Sequence, residues 1–248
     1  MNPTVVPQNF RVIAHRGASA YAPENTAPAF QLARKMSITE VELDTQLSTD
    51  GVVVVCHDTT LQRYGHGDTD VEDLSSGELL SLDMGSWFSP FSFSGTPMMT
   101  LAQLLDDYGD DFIFHIELKG KAADLAAAVY SEVAPRDLLP KSIFTSFAIE
   151  QLARMREVSS GCRLGWLVQS FDQAILEQAS ELDLFQLCPR ADLVSTELVE
   201  KGRQAVPEVR AWGMSGKPQE VRAKIQKVVE SGTDGMTIDW PDWVTRKQ

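Results

Sequence analysis

The sequence predicts a closed α/β barrel that carries a β-hairpin and an insertion after its second strand. Its 248 residues match the roughly 250 residues that an eight-stranded α/β barrel requires. Short β-rich runs alternate with helical patterns for nearly the whole length, which is typical of a parallel sheet covered by helices. The eight strand candidates are residues 11–15, 39–43, 112–118, 142–145, 163–168, 184–188, 208–212 and 235–238. Eight such units favour closure into a barrel.

Helices are predicted between most of these strands, where apolar residues recur at spacings of three and four. The clearest patterns cover residues 122–133, 150–158, 173–182 and 219–230. Because each helix has one apolar stripe, it can cover one stretch of the sheet. We expect a single domain over residues 1–248.

Residues 52–57 interrupt the alternation and follow a turn-forming Asp50-Gly51 pair. We interpret them as the return arm of a β-hairpin. A two-residue turn at Asp50-Gly51 would pair Asp44 with His57 and place both side chains on one face. A longer, bulged turn would shift this pairing by one residue.

A second interruption covers about residues 58–97, which are rich in glycine and contain Trp87 and Phe88. Loops of this length are usually functional or packed separately. We interpret the segment as an insertion over one end of the barrel. Trp87 and Phe88 then form either an apolar wall for a ligand or, as we favour, the insertion's own core.

The composition excludes several classes of partner. The 22 Lys and Arg residues against 35 Asp and Glu residues give a formal net charge of −13, which disfavours binding to nucleic acid or to an anionic bilayer. No apolar segment is long enough for a membrane span, and no leader pattern opens the sequence. We therefore expect a cytoplasmic protein with no membrane partner.

The three cysteines, Cys56, Cys162 and Cys188, are odd in number and far apart in the sequence. Most of their neighbours are apolar. We expect reduced thiols in the core rather than a disulfide scaffold or a zinc site.

Polar residues gather at the carboxyl ends of the first three strands, which is where catalytic groups lie in α/β barrels. They are His15 and Arg16 at the end of the first strand, Glu42 and Asp44 at the end of the second, and Glu117 and Lys119 at the end of the third. Residues two apart in a strand share one face. The hairpin is expected to return His57 to the same place.

This set of side chains suits the hydrolysis of a phosphate ester. Three carboxylates favour a hard divalent cation, Ca²⁺ or Mg²⁺, over zinc. Arg16 and Lys119 can hold a phosphoryl group, Arg16 by a pair of parallel hydrogen bonds and Lys119 as a point charge. His15 and His57 can act as acid and base near neutral pH.

Each element taken singly has an ordinary structural interpretation. A Glu-x-Asp at a strand end is usually solvated surface, a lone His57 is usually a hydrogen-bonded structural residue, and Glu117-x-Lys119 is an ion pair. The functional interpretation depends on convergence, because charged faces repeated at the ends of apolar strands are costly unless something binds there.

These motifs resemble those of the glycerophosphodiester phosphodiesterase family. The resemblance covers almost the whole chain, from His15-Arg16-Gly17 and Pro23-Glu24-Asn25-Thr26 through Glu42-Leu43-Asp44, His57-Asp58, Glu117-Leu118-Lys119, Ser146-Phe147 and Trp212 to Asp239-Trp240-Pro241. It implies a TIM (β/α)8 barrel that hydrolyses deacylated phospholipids such as glycerophosphocholine or glycerophosphoethanolamine. The products would be glycerol 3-phosphate and an alcohol.

The resemblance also implies roles for individual residues. Glu42, Asp44 and Glu117 would bind a divalent metal, Ca²⁺ or Mg²⁺, and His15 and His57 would be the acid–base pair. Arg16, Lys119 and Trp212 would bind the small-molecule substrate. We assign His57 to the leaving alcohol and His15 to the nucleophile, although the pair is better supported than its order.

The sequence leaves several alternatives open. The nucleophile is either water or the glycerol 2-hydroxyl, which would give a cyclic phosphate first. The chain departs from the family pattern at Gly213-Met214-Ser215 after Trp212, so contacts with the alcohol differ there. A lysophospholipase D activity and a non-catalytic barrel that binds phosphate or a cation are the competing functions. The preferred alcohol and the oligomeric state are also open.

Overall fold

The structure, a computed structural model, describes residues 3–247 and contains the expected closed barrel. Eight parallel strands pair in the order β2-β11-β10-β9-β8-β7-β6-β3, and β2 pairs with β3 to close the ring. They are β2 (Arg11–His15), β3 (Glu40–Leu47), β6 (Ile113–Leu118), β7 (Ser142–Ser146), β8 (Arg163–Val168), β9 (Gln186–Pro189), β10 (Glu208–Ala211) and β11 (Gly235–Ile238). The fold class predicted from the sequence is confirmed.

Helices cover the outside of this ring. They are α1 (Ala27–Lys35), α3 (Leu101–Tyr108), α4 (Leu125–Val133), α5 (Ile149–Val158), α6 (Gln173–Glu181), α7 (Thr196–Gly202) and α8 (Pro218–Glu230), whereas the short α2 (Ser76–Leu80) lies in the inserted segment. Each longer helix turns an apolar stripe to the strands, as α8 does with Val221, Ile225 and Val228. One apolar core cluster extends over the barrel strands and these helices.

The hairpin forms, but the predicted pairing of Asp44 with His57 is wrong by one residue. Strand β3 pairs with β4 (Val53–Val55) in antiparallel register, Thr45 opposite Val55, and the Cys56 amide donates to the Asp44 carbonyl at 3.0 Å. The turn holds three residues rather than two, since Ser48 N–H donates to Val52 O. Gly51 takes the left-handed conformation that closes this longer turn.

Strand β3 is therefore shared by the barrel and the hairpin. Its first residues pair with β2 and its last three with β4, while its other edge pairs with β6. After β4 the chain leaves the ladder, and the His57 side chain reaches the barrel mouth by this route.

The inserted segment, about residues 58–97, has a small core of its own. Its buried residues, together with the neighbouring strand, are Val54, Cys56, Leu61, Tyr64, Val71, Leu79, Met84 and Met98. Trp87 packs against this cluster and edge-on against Tyr64 and Phe88. The core interpretation of Trp87 and Phe88 agrees with these contacts.

A two-stranded parallel sheet, β1 (Thr4–Val6) with β12 (Val244–Arg246), lies near the amino-terminal ends of β2 and β3. The short strand β5 (Met99–Thr100) pairs with β4.

Near the amino-terminal end of the barrel, His115 is buried and bonds Glu40 at 3.0 Å. Burial lowers the pKa of His115 to about 3, which fits a structural rather than a catalytic role.

Cys56, Cys162 and Cys188 are free and buried, as predicted. Among the described residues, no helix is both long enough and apolar enough to cross a membrane. The cytoplasmic location stays a prediction.

Two glycines share one backbone conformation but differ in how closely other atoms surround them. Gly17 and Gly51 have nearly equal positive φ angles of 80° and 81°. A Cβ at Gly17 would lie 2.6 Å from the Ala29 backbone, whereas one at Gly51 would meet nothing within 4 Å. We expect Gly17→Ala to destabilise the fold by about 3 kcal/mol or more and Gly51→Ala by about 1–2 kcal/mol. Urea unfolding of both variants measures this, and equal losses would contradict the predicted close packing at Gly17.

Candidate active site

Three carboxylates meet inside the barrel mouth because of the register between two neighbouring strands. Glu42 and Asp44 lie on β3 and point to one side, and Asp44 stands directly opposite Glu117 on β6. One oxygen from each of the three carboxylates lies within 4.8 Å of the others. All three side chains are buried.

Burial and mutual repulsion divide the charges of these carboxylates unequally. Burial, then the neighbouring charges of Asp44 and Glu117, raise the pKa of Glu42 well above its ordinary value. Burial, then the neighbouring charge of Asp44, raise the pKa of Glu117 to about 7. Burial acts on Asp44 too, but the nearby cations, Arg16 above all, keep its pKa below the ordinary value. The cluster is short of positive charge.

A divalent cation fits this cluster. Asp44 Oδ1 is buried and has no hydrogen-bond partner among the described residues, which is costly without a ligand. All three donors are carboxylates, the ligands that Mg²⁺ and Ca²⁺ prefer. Bound positive charge would also relieve the repulsion that raises the pKa values of Glu42 and Glu117.

His15 is held at the end of β2 by a carboxylate from the last barrel strand. Its Nδ1 lies 2.5 Å from Asp239 Oδ1, and Ser19 Oγ donates to the same oxygen at 3.2 Å. With Nδ1–H bonded to Asp239, the other ring nitrogen, Nε2, is directed towards Glu42, 3.8 Å from its Oε2. Nε2 is thus available for proton transfer at the cavity.

His57 repeats this arrangement from the hairpin. Its Nδ1 lies 2.5 Å from Asp58 Oδ1, and Lys119 Nζ donates to its Nε2 at 3.1 Å. Burial, supported by the charges of Arg16 and Lys119, lowers the pKa of His57. Both predicted histidines therefore have one nitrogen fixed by an aspartate and one at the cavity.

The two predicted phosphate-binding cations are bonded to carboxylates in this structure. The Arg16 guanidinium lies 3.1 Å from Asp44 Oδ2 and 2.9 Å from Glu24 Oε2. Lys119 Nζ lies 3.2 Å from Glu117 Oε1 and 5.5 Å from the centre of the Phe147 ring. Lys119 is the more exposed of the two.

Arg63 connects the inserted segment to this site. It donates to Asp58 Oδ2 at 2.6 Å and to Glu24 Oε1 at 2.5 Å. Its guanidinium also stacks over Trp87, 4.8 Å from the ring centre. Through Asp58 and Glu24, the aromatic core of the insertion thus supports both His57 and Arg16. The sequence pattern gave no signal for this arginine.

The site opens into a cavity of about 270 Å³. Its charged side carries His15, His57, Glu42, Glu117 and Lys119. Seven of the eight predicted site residues line it: His15, Arg16, Glu42, His57, Glu117, Lys119 and Trp212. Asp44 has no exposed surface and is the predicted residue that does not line the cavity.

The opposite wall of the cavity is apolar and comes from the ends of β7, β8 and β10. It contains Phe147, Leu167, Trp212 and Met214. The Phe147 and Trp212 rings meet edge to face with their centres 4.8 Å apart. Trp212 Nε1 is fixed by the Val168 carbonyl at 3.3 Å. The wall is therefore pre-formed.

Arg210 also lines the cavity but is not among the site residues predicted from the sequence. A signal was present, because Arg210 precedes Trp212 by two residues in a strand and so shares its face.

Comparison with known proteins identifies a phosphodiesterase family. The model of the Glycerophosphoryl diester phosphodiesterase family matches residues 15–243. The Bacillus subtilis protein YhdW is 32% identical over 95% of this chain and 96% of its own length. A glycerophosphodiester phosphodiesterase from Caldanaerobacter subterraneus subsp. tengcongensis is 28% identical over 93% of this chain and 94% of its own.

Solved structures show the same similarity. A phosphodiesterase from Oleispira antarctica, in complex with the product sn-glycerol-3-phosphate, is 28% identical with a TM-score of 0.82, over 96% of this chain and 94% of that chain. A glycerophosphodiester phosphodiesterase from Agrobacterium tumefaciens is 26% identical with a TM-score of 0.78, over 94% of this chain and 98% of that one.

The raised pKa of Glu117 predicts a pH-dependent stability of the metal-free protein. Because the folded-state pKa of about 7 lies above the ordinary 4.5, the carboxyl contributes most stability below pH 4.5 and loses it as the pH rises through 7. In excess chelator, Glu117→Gln should therefore be more stable than wild type at pH 8, by on the order of 2 kcal/mol. The difference should shrink towards pH 5.

Denaturant melts at the two pH values measure this difference. The exposed Glu200→Gln change on α7 serves as the control, and its stability relative to wild type should be the same at both pH values. A Glu117→Gln variant equally destabilised at both pH values would contradict the repulsion in the carboxylate cluster.

Proposed function

The chain belongs to the glycerophosphoryl diester phosphodiesterase family and is a hydrolytic enzyme, and we propose that it cleaves glycerophosphocholine or glycerophosphoethanolamine to glycerol 3-phosphate and an alcohol. The observation that carries this proposal is the pair of aspartate-fixed histidines beside the three carboxylates. The product in the Oleispira antarctica structure supports glycerol 3-phosphate as the common half of the substrate.

Glu42, Asp44 and Glu117 would hold a divalent cation, Mg²⁺ or Ca²⁺. When bound, it supplies positive charge that offsets the anionic phosphoryl group. The lack of a hydrogen-bond partner at Asp44 Oδ1 and the repulsion at Glu42 and Glu117 support this assignment.

Lys119 and Arg16 would bind the phosphoryl oxygens. Lys119 is the better placed, because its ammonium lies between Glu117 and His57 at the cavity surface. When a phosphoryl oxygen accepts the hydrogen bond of the Lys119 ammonium, Lys119 no longer donates to His57 Nε2. His57 then lies beside an anionic phosphoryl group instead of a cation. Both changes favour the protonated form of His57.

His57 would then protonate the leaving alcohol oxygen as the phosphorus–oxygen bond breaks. His15 Nε2 would take the proton of the nucleophile, whether that is water or the glycerol 2-hydroxyl. Asp58 and Asp239 would stabilise the imidazolium forms of His57 and His15 through their contacts with Nδ1. The alcohol would lie against Trp212 and Phe147, which suit the methyl groups of choline through a cation–π contact.

The competing functions have less support. A barrel that only binds phosphate or a cation does not require two histidines that are each fixed by an aspartate. A lysophospholipase D substrate carries an acyl chain, whereas the cavity holds about 270 Å³. We propose that residues 1–248 act as one domain on a small-molecule substrate, since Arg63 bonds the insertion to the site.

Release of glycerol 3-phosphate from a panel of diesters tests the proposed function. With Mg²⁺, Ca²⁺ or Mn²⁺ present we expect turnover that excess chelator abolishes. His15→Ala and His57→Ala should each lower kcat by roughly 10²- to 10⁴-fold, because each removes one proton-transfer group. His66→Ala, at a histidine bonded to the Asp83 carbonyl in the insertion, is the control and should retain activity. No turnover by metal-loaded wild type across the panel would refute the proposal.

Arg63 is expected to act by positioning Asp58 and Glu24. Arg63→Met should lower kcat roughly 10-fold with little change in KM, because His57 loses the support of its orienting carboxylate. Arg63→Lys should recover part of the loss. Arg34, which likewise pairs with a carboxylate, Asp111, and stacks on a ring, Tyr108, gives a matched control in Arg34→Met. A lowered melting temperature with unchanged kcat would show that Arg63 is merely structural.

A further inference from the structure

Arg210 is a buried cation in the wall of the cavity whose bonding is incomplete. It lies on β10 with 1% of its surface exposed. Its Nε donates to Gln186 Oε1 at 3.4 Å, and its Nη1 donates to Thr237 Oγ1. Its Nη2 has no hydrogen-bond partner among residues 3–247. A buried donor without a partner is costly and indicates an absent acceptor.

The other two cations of the cavity differ from Arg210. Arg16 forms ion pairs with Asp44 and Glu24, and Lys119 forms one with Glu117. Both acceptors of Arg210 are neutral, and within the described part of the chain no carboxylate forms an ion pair with it. Burying a guanidinium without a charged partner is expensive. The structure therefore has a free donor where a ligand oxygen would be stabilised.

Depth in the cavity identifies which part of a substrate reaches Arg210. The side chains of His15, His57 and Lys119 are 30%, 27% and 21% exposed, whereas Arg210 is almost fully buried. A phosphorus atom between the two histidines thus lies nearer the mouth than Arg210. The part of the substrate that lies deeper than the phosphorus would contact the polar residues at the bottom of the cavity. We call these residues, which are Arg210, Thr237, Glu42 and Glu117, the polar floor.

We propose that Arg210 is a specificity-determining residue that donates from Nη2 to a hydroxyl oxygen of the glycerol half of the substrate. This inference rests on the proposed function. A hydroxyl can accept from Arg210 and donate to Glu42 or Glu117 at once, which neither a methyl group nor an acyl chain does. The floor thereby selects diesters with free glycerol hydroxyls.

Hydroxyl deletion in the substrate tests the contact directly. The measurement is kcat/KM for glycerophosphoethanolamine and for its 2-hydroxypropyl and 3-hydroxypropyl analogues, each of which lacks one glycerol hydroxyl. We expect Arg210→Met to lower kcat/KM for the glycerol substrate roughly 10- to 100-fold. For the analogue that lacks the contacted hydroxyl, the kcat/KM values of wild type and Arg210→Met should agree within about threefold.

Equal losses on all three diesters, or no loss on any, would overturn the inference. Arg163→Met removes a half-buried arginine of β8 that bonds the Pro140 carbonyl and does not line the cavity. It should keep the wild-type preference among the three diesters. If Arg210→Met does not fold, Arg210→Gln, which keeps a donor for Thr237, gives the same comparison.

Binding of sn-glycerol 3-phosphate separates this inference from the proposed function. By calorimetry on metal-loaded protein, we expect Arg210→Met to bind it roughly 10-fold more weakly than wild type. If wild type binds it more tightly than Arg210→Met but hydrolyses no diester, the proposed function fails and the Arg210 contact stands. If wild type and Arg210→Met bind it equally, the Arg210 contact fails whatever the activity.

Discussion

The repulsion among Glu42, Asp44 and Glu117 is the constraint on which the rest of the site depends. The register between β3 and β6 places the three carboxylates together under the barrel mouth, away from water. Such a cluster is stable only with compensating charge or protonation. Arg16 and Lys119 supply part of that charge, and Asn25 adds a hydrogen bond to Asp44 at 2.9 Å. The remaining deficit is what a divalent cation would satisfy.

The cations that compensate the carboxylates also link the site to the rest of the fold. Glu24 joins Arg16 to Arg63, and Arg63 joins the inserted segment to Asp58. The orientation of His57 therefore depends on a segment far from the barrel core, packed by Tyr64 and Trp87. His15 is oriented instead by Asp239, from the last strand of the closed ring. The two histidines are thus held by independent parts of the structure.

Much of this arrangement was predictable because its determinants are local in sequence. Alternating strands and helices gave the barrel, and residues two apart at strand ends gave Glu42 with Asp44 and Glu117 with Lys119. The hairpin register was wrong by one residue because turn length depends on whether Gly51 closes a two- or three-residue loop, which composition alone does not distinguish. The contacts of Arg63 and Arg210 could not be predicted, since their partners are brought together only by long-range packing.

The division of the cavity into a charged side and an apolar side also bears on how the enzyme can be altered in the laboratory. The three carboxylates, His15 and Lys119 lie on or directly after β2, β3 and β6, whereas Phe147, Leu167, Trp212 and Met214 lie in or after other strands. Directed evolution confined to those four positions would change the shape of the apolar side of the cavity without touching the carboxylates or the histidines. The barrel therefore allows one side of the cavity to be redesigned while the charged groups of the other side are kept.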